Sequence, residues 1–187
     1  DCNANDSSTW VSKAYTVPTY VPITITSYNQ DVIAEGVATA VSTTTTAVDD
    51  ATASGNGGYA YLSSTYRNPA TPNTAPTYSL PANGRILSGS KYFQLAPYNQ
   101  VNSTRLAAQN AFDTMKFFTP RSAKTVNILA VSGSGASTAN FRVLFSDDTY
   151  ADFTTQSIAD WYGGSPIVLG SVGRVNRSNN VAEGASN

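Results

Sequence analysis

Histidine is absent from this chain of 187 residues, and cysteine and methionine occur once each. Without histidine, a Ser-His-Asp or Cys-His nucleophile is excluded, as is any His-ligated zinc or iron site. A single cysteine, Cys2, excludes an internal disulfide framework and a cysteine-rich metal cluster. Within its polar leader Cys2 reads as an exposed free thiol, or as one half of a pair with a segment outside this sequence. A lipid anchor would require it to be the first residue of the mature chain. Charge is scarce as well. Lys and Arg number 11 and Asp and Glu 12, so 12% of residues are charged, about half the roughly 25% usual for soluble domains. A net charge of −1 with scattered cations leaves no electrostatic footprint for nucleic acid. No run reaches the roughly 18 apolar residues of a membrane span.

What is abundant is neutral polarity. Ser, Thr and Asn together make 61 residues, close to a third of the chain. At 41% hydrophobic the chain can still bury a sizeable core, and low charge is not the signature of disorder, which needs high net charge. A surface solvated by neutral polar groups suits an extracellular or cell-surface protein. Length fits one domain, read as a polar leader over 1–14, a single β-sandwich over 15–180 and a polar tail over 181–187. The opening DCNANDSSTW has neither the basic nor the apolar run of a signal peptide. A start at Asp1 is that of a processed chain or an excised piece.

The periodicity is that of strands. Residues 20–26 place Val21, Ile23 and Ile25 on one face. Residues 141–145 and 149–153, joined by Asp147-Asp148, read as a hairpin with Phe141, Val143 and Phe145 facing the core. Residues 126–131 (VNILAV) are a buried-type strand ended by Ser132-Gly133-Ser134-Gly135, and 167–169 with 172–175 mark another. Shorter candidates are 58–62, 85–87, 92–95 and 115–118. Residues 104–113 could form a short helix, a strand or a loop. The threonine-rich stretch 39–48 is better read as an edge strand than as a linker, because threonine is β-branched and tolerates a half-solvated face. Residues 68–81 hold four prolines and no periodicity, a long excursion of the kind often found at functional loops or boundaries. Many short strands between Gly, Pro and Asn turns point to an all-β sandwich or jelly roll.

Catalytic motifs are thin. Ser132-Gly133-Ser134-Gly135 has Ser where a nucleophile elbow needs Gly, and no histidine exists to activate it. It is a turn. A glycosidase would need two carboxylates across a cleft; Asp31, Glu35, Asp147, Asp148, Asp152 and Asp160 are available, but in any set of 12 acids some pair can be found. The chain is therefore read as non-enzymatic, with a hydrolase as the least favoured reading. Oxygen-rich loops on β-sandwiches can hold Ca²⁺, and Asp49, Asp50 and Asn56 are the candidate ligands, against a plain solvated loop. Asp147-Asp148 is better read as a turn, since Asp bonds its own backbone there. Three Asn-x-Ser/Thr sequons, at Asn5, Asn102 and Asn176, are expected by chance in this composition.

Aromatic residues offer more. Sugar rings present flat C–H faces that stack on aromatic rings, while Asn, Asp and Arg bond their hydroxyls. Tyr59 and Tyr61 share one face of a short strand, with Tyr66 and Arg67 just beyond. These four are the candidate glycan site, weighed against half-buried tyrosines in a sheet. Asp160-Trp161-Tyr162-Gly163-Gly164 is the most distinctive cluster, and Trp161 is read as a plug over the end of the sandwich whose indole N–H and the Tyr162 hydroxyl seek partners.

The block 127–164 (NILAVSGSGASTANFRVLFSDDTYADFTTQSIADWYGG) with GRVNRSNN at 173–180 resembles galactose-binding-like β-sandwich modules of secreted, multidomain Bacteroidetes-type surface proteins. SYNQDVIAEG (27–36), LPANGRI (80–86) and YFQLAPYNQVNSTRL (92–106) are similar to the same modules. The resemblance implies a jelly-roll fold and a non-catalytic, carbohydrate-binding or adhesive accessory role, with no binding motif carried across residue by residue. In such modules further strands follow the GRVNR segment. Here a polar tail follows, so the sandwich would lack its last strands within this chain. Either the chain is a piece of a longer protein, or a partner supplies the strands by β-augmentation. The partner expected is thus a glycan or cell-surface polysaccharide, or other copies and neighbouring domains in a surface filament or secretion assembly.

Overall fold

The computed structural model describes residues 21–49 and 57–184. Cys2, the leader and the Asn5 sequon lie outside the described residues. The described chain is all-β: strands β1 (Ile33–Ala34), β2 (Tyr59–Leu62), β3 (Arg85–Ser88), β4 (Lys91–Gln94), β5 (Ser137–Leu144), β6 (Tyr150–Ile158), β7 (Arg174–Asn176) and β8 (Ala182–Glu183), with a single helical turn, α1 (Ala40–Thr43). They form one four-stranded sheet in the order β1-β2-β7-β8 and two two-stranded ribbons, β3-β4 and β5-β6.

The sheet is organised by β2. Its alternation places Ala60 and Leu62 on one face and Tyr59 and Tyr61 on the other. β1 runs parallel to it and β7 antiparallel, pairing Ala34 with Leu62 and Val175 with Ala60. Ala34, Ala60, Leu62 and Val175 therefore share a face, and with Ala40 and Tyr66 they make the innermost core. The opposite face packs Tyr61 against Val32, Ile33 and Leu80. Small residues at Ala34 and Ala60 let α1 and Tyr66 close down on the first face.

The threonine-rich stretch is not an edge strand. Ala40–Thr43 make one helical turn, and Thr44 and Thr46 behind it are buried. The hydroxyls explain the departure: Thr44 Oγ1 donates to the Ala40 carbonyl (2.7 Å), while Thr45 Oγ1 donates to Gln30 Oε1 and accepts from the Asp31 N–H (2.7 Å each). Local hydroxyl–backbone bonds outcompete the β propensity of threonine. The Asn180 side-chain oxygen accepts from the Ala40 N–H (2.8 Å), so the β7–β8 loop supplies the cap for this turn.

Further expectations are corrected. Residues 126–131 form no strand. They meet a neighbour at Ser132, bridged to Asp160, and leave Val126, Ile128 and Val131 40–46% exposed, because an apolar run without a ladder partner cannot satisfy its backbone. Tyr20 lies outside the described residues, and 21–26 and 115–118 contribute one bridge, Ile25 to Phe117. Residues 167–169 form no strand, with bends at 168 and 169, and 104–113, open in the sequence to helix, strand or loop, run as a loop with a turn at 109–110. Part of the stretch read as a polar tail is structured: Ala182–Glu183 pair with β7, because the Asn-rich turn ahead of them reverses the chain. There Asn176 Oδ1 accepts from the Ser178 N–H and Asn179 Oδ1 from the Val181 N–H.

The long hairpin forms as expected, with Asp147 Oδ1 accepting from the Thr149 N–H and hydroxyl and Asp148 in the left-handed region at φ 63°. These bonds hold the Asp147 carboxyl below its ordinary range. Phe141 and Val143 are half-buried, but Phe145, expected in the core, is half-exposed.

Candidate functional site

The four residues expected to form a glycan platform are divided by the fold. Tyr59 and Tyr61 do share a face of β2. The ring of Tyr59, however, is covered by Arg174, whose Cζ lies 3.9 Å from its centroid. Its hydroxyl donates to Glu183 Oε1 (2.8 Å). Tyr61 meets the edge of Trp161 at 4.9 Å, and burial, aided by the Asp160 charge, pushes its hydroxyl pKa well up. Tyr66 turns to the opposite face and is 2% exposed, so it is core rather than platform. Arg67 bridges beside Val37, and its Nη1 donates to the carbonyls of Ser64 (3.0 Å) and Tyr66 (2.7 Å). A four-residue sequence step from the end of β2 at Leu62 carries no information about which face Tyr66 will join.

Of the candidate cation ligands, Asp50 and Asn56 lie outside the described residues. Asp49 Oδ1 accepts from the Tyr59 N–H (2.7 Å), and its backbone carbonyl accepts from Ser134 Oγ (2.6 Å). The turn at 132–135 therefore seats against the Asp49 loop. Gly133 makes the approach possible: a Cβ there would stand 2.3 Å from the Val48 carbonyl oxygen. Trp161, 8% exposed, covers Tyr61, and its N–H on the backbone donates to the Ser132 carbonyl (2.8 Å). The Tyr162 hydroxyl finds the Gly184 carbonyl (2.6 Å). Two sequon asparagines are engaged. Asn102 Nδ2 donates to Asp31 Oδ1 (2.7 Å), and Asn176 Oδ1 accepts from Ser178.

A second group of the same residue types stands open. On β5–β6, Arg142 pairs with Asp152 and Leu144 with Tyr150. Arg142 Nε and Nη2 reach the two Asp152 oxygens at 2.6 and 2.7 Å, a bidentate fork. The guanidinium also lies 4.0 Å from the centroid of the Tyr150 ring, its diagonal neighbour. The side chains of Arg142 and Asp152 are 54% and 41% exposed. Beside them an open depression of about 230 Å³ is lined by Asn140, Phe141, Arg142, Asp152 and Thr154. The fork holds the Asp152 carboxyl below and the Arg142 guanidinium above their ordinary ranges, so both stay charged and together are neutral. The arrangement presents donors, acceptors and an aromatic ring to solvent.

Arg142, Tyr150 and Asp152 were not singled out as binding residues from the sequence, although the signal exists. In a hairpin centred on Asp147, Arg142 and Asp152 lie equally far from the tip, and both alternate with the inward positions Phe141 and Val143. Opposite charges at mirrored, outward positions mark a cross-strand pair.

Compared with known proteins, the chain matches no family model, and no curated protein or solved structure is similar to it.

Proposed function

We propose that this chain is a non-catalytic carbohydrate-binding or adhesion module of an extracellular or cell-surface protein, built on a jelly-roll, galactose-binding-like plan, with the outer face of β5–β6 as its contact surface. One observation carries the reading: the exposed Arg142–Asp152 fork beside Tyr150, opening on a shallow depression. Adjacent sugar hydroxyls need a donor and an acceptor side by side, which a guanidinium–carboxylate pair offers. A neighbouring aromatic ring takes the C–H face of the sugar. The composition agrees, since neutral polar surfaces meet neutral glycans without a strong field. Glycan-array binding tests the proposal. Arg142→Ala and Tyr150→Ala should each weaken binding by tenfold or more with thermal unfolding unchanged. Absence of binding to any polysaccharide, or binding indifferent to both substitutions, overturns it.

A second reading, a structural subunit completed by a partner's strand, rests on the two outer edges of the β5–β6 ribbon, which among the described residues join no further strand. Concentration-dependent assembly on size exclusion would favour it.

A further inference from the structure

Residues 106–124 run through no helix or strand and follow the stretch 24–27. Backbone bonds tie the two together: the Thr26 N–H donates to the Lys116 carbonyl (3.1 Å) and the Phe118 N–H to the Thr24 carbonyl (2.9 Å), while Ser27 Oγ donates to the Thr114 carbonyl (2.7 Å). The backbone is held and the side chains face out. Phe112 is 91% exposed, Phe118 75% and Ile23 49%. Lys116, Arg121 and Lys124 stand exposed among them, and the ion pairs formed between described residues involve none of the three. The one carboxylate of this stretch, Asp113, accepts from Asn29 Nδ2 (2.7 Å). Positive charge is thus concentrated here on a chain whose net charge is −1.

We propose that this face docks on an anionic lipid surface, with Phe112, Phe118 and Ile23 entering the boundary between headgroups and acyl chains and Lys116, Arg121 and Lys124 lying against lipid phosphates. The proposal goes beyond the glycan reading and is independent of it. Two features select lipid over protein. Lysine is depleted from the centre of protein interfaces, whereas aromatic and basic residues together are what an anionic bilayer interface accepts. Phe112 stands almost fully in solvent and Phe118 three-quarters so, beside a depression of about 110 Å³ lined by Ile23, Phe118 and Arg121, and side chains that project this far fit a fluid partner that closes around them. Among the described residues no helix is long and apolar enough to cross a membrane, so the contact is peripheral. Each cation contributes roughly fivefold in partitioning near an anionic leaflet.

Co-sedimentation with phosphatidylcholine vesicles, with and without phosphatidylglycerol, tests this. The chain should partition at least tenfold better to the anionic vesicles and lose that preference in high salt. The double variant Phe112→Ser/Phe118→Ser, which keeps every charge, should lose tenfold or more while its melting temperature is unchanged; Lys116→Gln should lose about fivefold. Equal or no binding to both vesicle types overturns the proposal, as does full binding by the double variant. Salt-sensitive binding to polygalacturonate that matches the vesicle affinity and ignores the two phenylalanines assigns the face to an acidic polysaccharide instead.

Discussion

Two regions of the described residues hold the same constellation: an arginine over a tyrosine ring, forked to a carboxylate on the paired strand. In the four-stranded sheet it is Arg174, Tyr59 and Glu183; in the long ribbon it is Arg142, Tyr150 and Asp152. The difference lies in what covers them. Tyr162 closes over Arg174 at 3.7 Å, so the guanidinium is held between two rings and its side chain is 19% exposed. Arg142 has one ring and is 54% exposed. Residue type alone therefore does not assign a role. Enclosed between two rings the group fastens β7 and β8 to β2; open on a ribbon it offers its bonding capacity to whatever arrives. The sheet also has a core on both faces, while Leu144, Phe145, Tyr150 and Phe153 of the ribbon and its turn are half to two-thirds exposed.

The widest gap between the regions should appear on truncation. Leu62, 1% exposed in the innermost core, should cost about 2–5 kcal/mol as Leu62→Ala, by the transfer and cavity terms together. Phe153→Ala, at a half-exposed ribbon position, should stay within about 0.5 kcal/mol. Urea unfolding of the two variants measures this directly. Comparable losses would mean that the ribbon is packed in solution and the division of labour is mistaken.

Arg177 sharpens the comparison from the polar side. It opens the β7–β8 turn, is 4% exposed, and its Nε donates to Thr44 Oγ1 (2.9 Å) while Nη1 reaches the Gly57 carbonyl. Replacement by methionine keeps the volume and leaves those oxygens without their donor, at about 1–3 kcal/mol. Arg142→Met removes a similar set of bonds from solvent-facing groups, which water replaces, and should change unfolding by less than about 0.5 kcal/mol. Thermal melts of the pair would decide, and a larger loss at Arg142 would break the argument.

How much of this could be read from the sequence follows the same divide. The hairpin of β5–β6, the short strands β2, β3 and β4, the turn at Asp147-Asp148 and the covering role of Trp161 were legible, because each is written in local alternation or turn chemistry. Three things were not. The threonine stretch folds as a buried turn because its hydroxyls find Asp31, Gln30 and Ala40, partners that no propensity scale contains. Tyr66 joins the opposite face from Tyr59 and Tyr61, a consequence of how the chain leaves β2. VNILAV has every mark of a strand except a neighbour. The candidate site moved for one reason: the sequence shows which tyrosines alternate, and only the fold shows which ring is already covered.

The smallest effect separates the two carboxylates. Tyr59 and Arg174 hold the Glu183 carboxyl below its ordinary value of 4.5, and Arg142 does the same for Asp152. A lowered carboxylate contributes stability above its unfolded value, and that contribution is lost as pH falls through the folded value. The sheet should therefore weaken in acid below about pH 4.5 through Glu183, by at most about 1 kcal/mol because the group is partly exposed and screened. Asp31 works in the other direction. Burial raises its pKa, so the folded chain takes up that proton first and gains stability as pH falls. The two opposing slopes make the wild-type profile alone uninformative, and the difference from a variant isolates Glu183. Glu183→Gln should flatten the acid limb of the urea-unfolding free energy relative to wild type, whereas Asp152→Asn, on the solvent-screened ribbon, should superimpose on it. Equal flattening by both would show that Arg142 and Asp152 fasten the ribbon as firmly as Arg174 and Glu183 fasten the sheet, and the open fork would lose its claim to be a surface held for a ligand.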